Sequence, residues 1–199
     1  MLRINEMFES IQGEGSWIGR PVMFIRLQGC SLHCDFCDSK ITWNEAGKEW
    51  DVYVLADKVR PHSWVVLTGG EPTEQPRELR KLISLLHEKG CIVAIESNGT
   101  YEWYSDLKAD WIVVSPKPKA QYMFYPEGVD ELKYVVTKDF NAEVAIHEAI
   151  RNRFNGRIWL QPCDYGDAGS AMMNKVLDIV ASDSRLRAGI QMHKIYGVR

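Results

Sequence analysis

The chain lacks what would tie it to a membrane or to an oxidising compartment. Across its 199 residues no apolar run approaches the ~20 needed to span a bilayer. The opening MLRINEMFES has no apolar core of the kind a signal peptide carries. Excess charge is missing as well: 24 Lys and Arg face 27 Asp and Glu, and a net −3 gives no general reason to expect duplex nucleic acid. There is no repeat, low-complexity tract or linker. Cysteines number only five, and an odd count does not suit a disulfide framework. The expectation is a cytoplasmic protein with one domain over residues 1–199, and with no membrane or direct nucleic-acid contact. Thiols stay reduced there, so clustered cysteines point to metal or catalysis.

What is present is a sequence of short apolar runs alternating with amphipathic ones. Val22–Leu27, Trp64–Leu67, Ile92–Glu96, Trp111–Val114, Leu132–Val136 and Ile158–Gln161 read as strands. Their near-continuous apolar character suits a parallel sheet covered on both faces. A last strand is expected over Arg187–Met192. Gln75–Gly90 reads as a helix with Pro76 in its first turn, Leu79, Leu82, Ile83 and Leu86 on one face, and Gly90 at its end. Residues 141–154 and 171–182 predict two more, with Asn141 and Ser170 as caps. The fold class is α/β, with about seven mostly parallel strands and too little chain for a full eight-fold barrel. Chemistry is expected at the strand C-termini.

Three of the cysteines lie in QGCSLHCDFCDS: Cys30, Cys34 and Cys37, spaced C-x3-C-x2-C. Three thiolates on a compact loop suit three irons of a 4Fe-4S cube, leaving the fourth iron open to an outside chelator. An open coordination position separates a working metal site from a structural one. The competing reading is a zinc knuckle completed by His33 or a remote cysteine. Cys91 and Cys163 read as buried thiols.

With Phe36 before its third cysteine, this loop resembles that of the radical S-adenosylmethionine superfamily. The resemblance implies an incomplete (β/α) barrel. It also implies that the amino and carboxylate groups of S-adenosylmethionine chelate the open iron, and that an electron from the cluster cleaves the cofactor to a 5′-deoxyadenosyl radical. Thr68-Gly69-Gly70-Glu71-Pro72 follows a predicted strand and resembles the segment that binds the methionine amino group. Its glycines allow close backbone approach, and its carboxylate accepts from an ammonium. Glu96, Ser97 and Asn98 end the next strand, Ser115 and Lys117 the one after, and Gln161 another. Polar turns at successive strand ends converge on one face of the sheet. The cofactor set is thus Phe36, Thr68, Gly69, Gly70, Glu71, Glu96, Ser97, Ser115, Lys117 and Gln161.

FESIQGEG (Phe8–Gly15), CDFCDS, TGGEP, ESNG, SPKPK, ELK, QP and IQMHK (Ile190–Lys194) together resemble the 7-carboxy-7-deazaguanine synthase family. The resemblance runs from Phe8 to Arg199. It implies ring contraction of 6-carboxy-5,6,7,8-tetrahydropterin with loss of ammonia, catalytic use of S-adenosylmethionine, a Mg2+ ion and a homodimer. A reducing donor such as flavodoxin or ferredoxin is also implied. Gln12, Glu14, Arg26, Gly70, His193 and Arg199 (by its carboxylate) would contact substrate. Glu14 can accept from an amidine-like pterin edge, and Arg26 suits the 6-carboxylate. Without the cluster, QGEG would read as a surface turn and Arg26 as a solvent-facing strand residue. Where the family commonly has Asp-Thr after the third cysteine, this chain has Asp38-Ser39. Serine keeps the oxygen offered to Mg2+ but is freer about χ1. Two rivals remain: a radical activase acting on a partner protein, which would not need SIQGEG or QMHK, and a non-catalytic zinc module.

Overall fold

A strand turns alternate residues to opposite sides, so one covered on both faces must be apolar throughout. The runs that meet this demand become β2 (Pro21–Leu27), β4 (Trp64–Gly69), β5 (Ile92–Ser97), β6 (Trp111–Val114), β7 (Glu131–Val136) and β8 (Arg157–Pro162). Here the structure is a computed structural model, and it describes residues 1–44, 46–101, 104–118, 128–151, 154–163 and 169–199. Three further strands are β1 (Leu2–Ile11), β3 (Lys48–Trp50) and β9 (Leu186–Ala188). The sheet order is β3-β1-β2-β4-β5-β6-β7-β8-β9, which has two ends and is not closed. From β2 to β9 every pairing is parallel; β1 pairs antiparallel with β2 and β3.

The described residues therefore hold nine strands rather than about seven. β1 escapes an apolar search because only its outer residues, Leu2 and Ile4, are buried, while Phe8 lines an open cavity and Glu6 and Ser10 hold the Arg26 and Arg199 of its wall. β9 is shorter than expected, ending at Ala188. At Gly189 the chain passes under Gln161, whose Oε1 would lie 2.7 Å from a Cβ there. Met192 N then donates to Gly13 O at 2.9 Å, and helix α5 (Met192–Tyr196) replaces the rest of that strand.

One face of the sheet packs under helices. In α2 (Pro76–Glu88) the predicted face Leu79, Leu82, Ile83 and Leu86 is buried against the outward residues Leu27, Leu67 and Ile95. Burial of each such side chain is worth roughly 1.5–3 kcal/mol. Helices α1 (Val52–Asp57), α3 (Ala142–Arg151) and α4 (Gly169–Ser182) complete the layer. Asn141 caps α3 as expected, its Oδ1 accepting from Val144 N at 3.2 Å. Ser170 is not a cap, because α4 already begins at Gly169. Among the described residues no helix is long and apolar enough to cross a membrane.

The opposite face is concave. Its floor is a second apolar cluster of Trp17, Val22, Phe24, Val66 and Ala94, with Trp17 edge-on to Trp64 at 4.6 Å. Trp17 belongs to the β1–β2 connection, and its neighbour Ser16 reaches Glu131 on β7 with Oγ at 2.6 Å. A connection from one side of the sheet that touches β7 across the hollow is possible only if the sheet curls. Above this floor β2, β4, β5 and β8 end on the same side in a polar residue, and β6 is followed by one.

Candidate functional site

The alternation that builds the floor also builds the site. Two residues beyond Phe24 on the same face comes Arg26; beyond Val66, Thr68; beyond Ala94, Glu96; beyond Val113, Ser115; beyond Trp159, Gln161. These residues line a cavity of about 520 Å3, and Cys30, Cys34, Cys37 and the turn Gly69–Glu71 line it too. Its wall also includes Gln12, Glu14, Phe36, Ser39, Ser97, Lys117, His193 and Arg199. All residues singled out from the sequence for cluster, cofactor, metal or substrate thus open into one chamber.

The cysteine loop is fixed by backbone. Glu71 N donates to Gly29 O at 2.7 Å, and Ser31 N and Oγ donate to Glu74 Oε1 at 2.8 and 2.7 Å. Cys37 N closes the loop on Cys34 O at 2.9 Å. His33 is not turned inward as a ligand: it is exposed and its ring lies 5.1 Å from that of Trp43. Among the described residues no three His, Cys, Asp or Glu side chains converge on one ion. Zinc needs its ligands around one point, whereas three corners of a cube need them apart, so the loop fits a 4Fe-4S cluster better than a zinc knuckle. Burial pushes the Cys30 and Cys34 thiols up, the Lys117 ammonium opposing this at Cys34. Cluster loading therefore releases protons. Cys91 and Cys163 are buried thiols, the latter at the edge of the same cavity.

The glycines of the TGGEP turn serve backbone packing. Gly69 sits at φ +128, where a Cβ would meet Leu27 O at 2.3 Å, and one on Gly70 would meet Gly29 O at 1.8 Å. Gly70 N is taken by Leu27 O at 3.0 Å. The buried Glu71 carboxylate accepts Thr73 N (3.0 Å), Thr73 Oγ1 (2.6 Å) and Ser97 Oγ (2.8 Å) on Oε1, and Asn98 N (2.6 Å) on Oε2. Three of these donors crowd Oε1 and one meets Oε2, and through them Glu71 ties the β4 turn to the β5 turn. Burial raises its carboxyl despite these bonds.

Beyond that turn the wall has open valences. Asn98 Nδ2 and Gln161 Oε1 are buried with no partner among the described residues. Such orphans are costly unless a ligand meets them, and a donor and an acceptor on separate parts of one cavity wall fit the mixed polar groups of S-adenosylmethionine. Lys117 Nζ donates to Ser115 Oγ at 2.6 Å, and burial, followed by the nearby Lys133, lowers its pKa. Lys119, at the end of SPKPK, lies outside the described residues.

The other end of the chamber is a network. Gln12 Nε2 donates to Glu96 Oε1 at 2.9 Å, and Thr68 Oγ1 to Glu96 Oε2 at 3.1 Å. Glu14 Oε2 is 2.5 Å from Lys133 Nζ, and Glu14 Oε1 accepts Gln191 Nε2 at 2.8 Å. Burial alone would raise the Glu14 carboxyl, but the Lys133 ammonium holds it below its ordinary value. Lys133 in turn is lifted far above the ordinary lysine range: burial opposes this, and Glu14 and Glu96 overcome it. Arg26 bonds Glu6 at 3.0 Å through Nε and Ser39 Oγ at 3.2 Å through Nη1. Arg199 also pairs with Glu6, lies over Phe8 at 4.7 Å, and has its backbone oxygen held by Ser10 Oγ. His193 packs on Gly13, where a Cβ would lie 2.1 Å from its Nδ1. Ser39 Oγ donates to Asp38 Oδ1 at 3.1 Å. A hydroxyl beside a carboxylate is a hard-oxygen pair that fits Mg2+.

Sequence reasoning missed Glu6, Asp38, Lys133 and Gln191. Asp38, Lys133 and Gln191 lie in the motifs CDFCDS, ELK and IQMHK without a role having been assigned to them, and Lys133 also stands out as a lone cation in the apolar strand LKYVV.

The family described as 4Fe-4S single cluster domain matches residues 11–114. A 7-carboxy-7-deazaguanine synthase of Aquifex aeolicus (strain VF5) is 34% identical, covering 100% of this chain and 95% of that protein. Synthases of the same name from Synechocystis sp. and Bacteroides thetaiotaomicron are each 35% identical; the coverages are 98% and 100% of this chain, and 93% and 100% of theirs. The crystal structure of QueE from Escherichia coli superposes with a TM-score of 0.76 at 27% identity, over 96% of this chain and 94% of that one. Streptococcus suis SuiB shares the fold, with a TM-score of 0.52 at 16% identity over 82% of this chain and 47% of its own.

Proposed function

The chain belongs to the 7-carboxy-7-deazaguanine synthase family, and from that premise we propose how its cavity divides the work. The reaction is ring contraction of 6-carboxy-5,6,7,8-tetrahydropterin to 7-carboxy-7-deazaguanine with loss of ammonia, in queuosine-type deazapurine synthesis. S-adenosylmethionine at a 4Fe-4S cluster supplies the 5′-deoxyadenosyl radical that starts it. Cys30, Cys34 and Cys37 hold three irons. Thr68, Asn98, Ser115, Lys117 and Gln161 provide the polar wall for the cofactor, with Phe36 against it. Ser97 and Glu71 act by holding that wall in shape. Gln12, Glu14, Arg26, His193 and Arg199 face the substrate, Arg26 toward its carboxylate. Ser39, supported by Asp38, offers an oxygen to Mg2+.

One observation carries this reading: the cysteine loop and the Gln12–Glu14–Arg26 set open into the same chamber of about 520 Å3. That volume lies in the range of small-molecule sites, which favours a pterin over a loop of a partner protein. We further read residues 1–199 as one domain, because one sheet runs through them. A flavodoxin- or ferredoxin-type donor would supply the electron. The homodimer implied by the family has support in Met173 and Leu177, exposed one turn apart on α4. A cytoplasmic location suits a site that needs reduced thiols.

Anaerobically reconstituted protein with reductant, S-adenosylmethionine, Mg2+ and the carboxypterin should yield 7-carboxy-7-deazaguanine by mass spectrometry. Cleavage of S-adenosylmethionine with no such product would overturn the reading in favour of an activase. A colourless protein holding one tight zinc would overturn both.

A further inference from the structure

We propose that β7 positions the substrate loop through two alternate residues, Glu131 and Lys133, and that Lys133 is the positioning residue for the Glu14 carboxylate. The proposal rests on Glu14 facing the substrate. Residues two apart on a strand face the same side, and these two grip the same connection from below and from above. Glu131 accepts Ser16 N at 3.2 Å, Ser16 Oγ at 2.6 Å and Trp159 Nε1 at 2.8 Å. Gly15 lies against it at φ +65, with Glu131 Oε1 2.5 Å from where a Cβ would stand. Lys133 then takes Glu14, two residues earlier in the loop, at 2.5 Å, and reaches Glu96 on β5 at 3.7 Å.

The acceptor count gives the pair its meaning. Glu71 gives Oε1 wholly to Thr73 and Ser97, whereas among the described residues each Glu14 oxygen takes a single donor, Gln191 on one and Lys133 on the other. One lone pair per oxygen remains, the arrangement a carboxylate needs to receive two parallel N–H groups. A pterin presents such an edge in its 2-amino group and adjacent ring N–H. Lys133 fixes the plane of that carboxylate. It also separates two carboxylates that, without a cation, would share a proton. A protonated Glu14 would turn an O–H toward N–H donors and repel the edge.

Glu14 is faced by Lys133 on β7, His193 on α5 and, through Lys133, by Glu96 on β5; Glu131 and Lys117 act on Lys133. In Lys133→Met only His193 and the Gln191 amide remain to favour the anion. The test measures product formation by reconstituted holoenzyme across about pH 6 to 9. Wild type should show a KM for the carboxypterin that is flat in pH. Lys133→Met should raise KM about ten- to a hundredfold and make it fall again as pH rises, with kcat much less affected. Glu14→Gln should raise KM with no pH dependence, and Lys133→Arg should restore the flat profile. Iron content should match wild type in each.

Should Lys133→Met not fold, Lys133→Gln, which removes the charge but keeps a polar side chain toward Glu14, carries the same comparison against Lys133→Arg. An unchanged KM in Lys133→Met, or a rise equal at all pH, overturns the proposal while the synthase reading stands. A wild type that makes no product overturns the synthase reading first. In that case the pair is read alone, by whether Lys133→Met makes thermal stability newly pH-dependent near neutrality. If it does not, the pairing inference falls as well.

Discussion

Gly70 and Gly29 are packed backbone to backbone, so that a Cβ on Gly70 would stand 1.8 Å from the Gly29 carbonyl oxygen. Gly29 immediately precedes Cys30, and its oxygen also receives Glu71 N. The position of the first cysteine is therefore set by the absence of a side chain on the neighbouring strand. Gly70→Ala has no flexible side chain to push aside and must displace the cysteine loop, at about 1–3 kcal/mol of stability. Iron and sulfide analysis after reconstitution should show most of the cluster lost. Cys91→Ala and Cys163→Ala should retain it, and a full cluster in Gly70→Ala would break the link.

Glu71 behaves as a structural tie between two turns. Glu71→Ala leaves the donors of Thr73, Ser97 and Asn98 without their acceptor and should cost about 3 kcal/mol or more in urea unfolding of the apoprotein. Glu71→Gln should be little better, because its NH2 must face either the Asn98 N–H or the Thr73 and Ser97 donors. A stable Glu71→Gln would instead leave the carboxylate a direct role toward the cofactor.

The Glu14–Lys133 pair sets a pH window for stability. Glu14 is held below its ordinary 4.5, so its contribution is present above that value and is lost as pH falls through the lower folded-state pKa. Lys133 is held above its ordinary 10.5, so its contribution is present below that value and fades as pH rises beyond it. Breaking a buried pair by removing one partner costs roughly 3–5 kcal/mol. The stability gap between wild type and Lys133→Met should thus widen as pH rises through neutrality, hold up to about pH 10, and shrink toward acid. Denaturant midpoints at several pH values read this directly.

What the sequence disclosed follows from what kind of information each residue carries. The cysteines, the strand-end polar residues and the α2 face are local patterns, and the structure brings all of them where the pattern required. Lys133 is different, since its meaning depends on Glu14 lying 119 positions away. β1 was invisible because Glu6, Phe8 and Ser10 spend one face of a strand on a cavity rim, which erases the apolar run. Glu71 read as a ligand because a carboxylate after two glycines is ambiguous until its donors are seen.

Ser39 is the hydroxyl expected to meet Mg2+, and its surroundings sharpen that expectation. Its hydroxyl accepts Arg26 Nη1 at 3.2 Å and donates to Asp38 Oδ1 at 3.1 Å. A Mg2+ bound to Ser39 Oγ would share that oxygen with the Arg26 guanidinium, and like charge sets the two in conflict. Arg26 must then turn toward its other neighbours, Glu6 and the incoming substrate carboxylate. Metal and substrate should therefore bind cooperatively, each vacating the place the other needs. Ser39→Ala should keep the cluster but raise the Mg2+ needed for half-maximal activity by about tenfold or more, and Asp38→Asn should do the same to a smaller degree. Ser39→Thr should lower the requirement, because the added methyl restricts χ1 and holds the oxygen in place. Activity titrated against Mg2+ at low and high carboxypterin separates these outcomes, and a Mg2+ requirement in Ser39→Ala equal to that of wild type would remove Ser39 from the metal site.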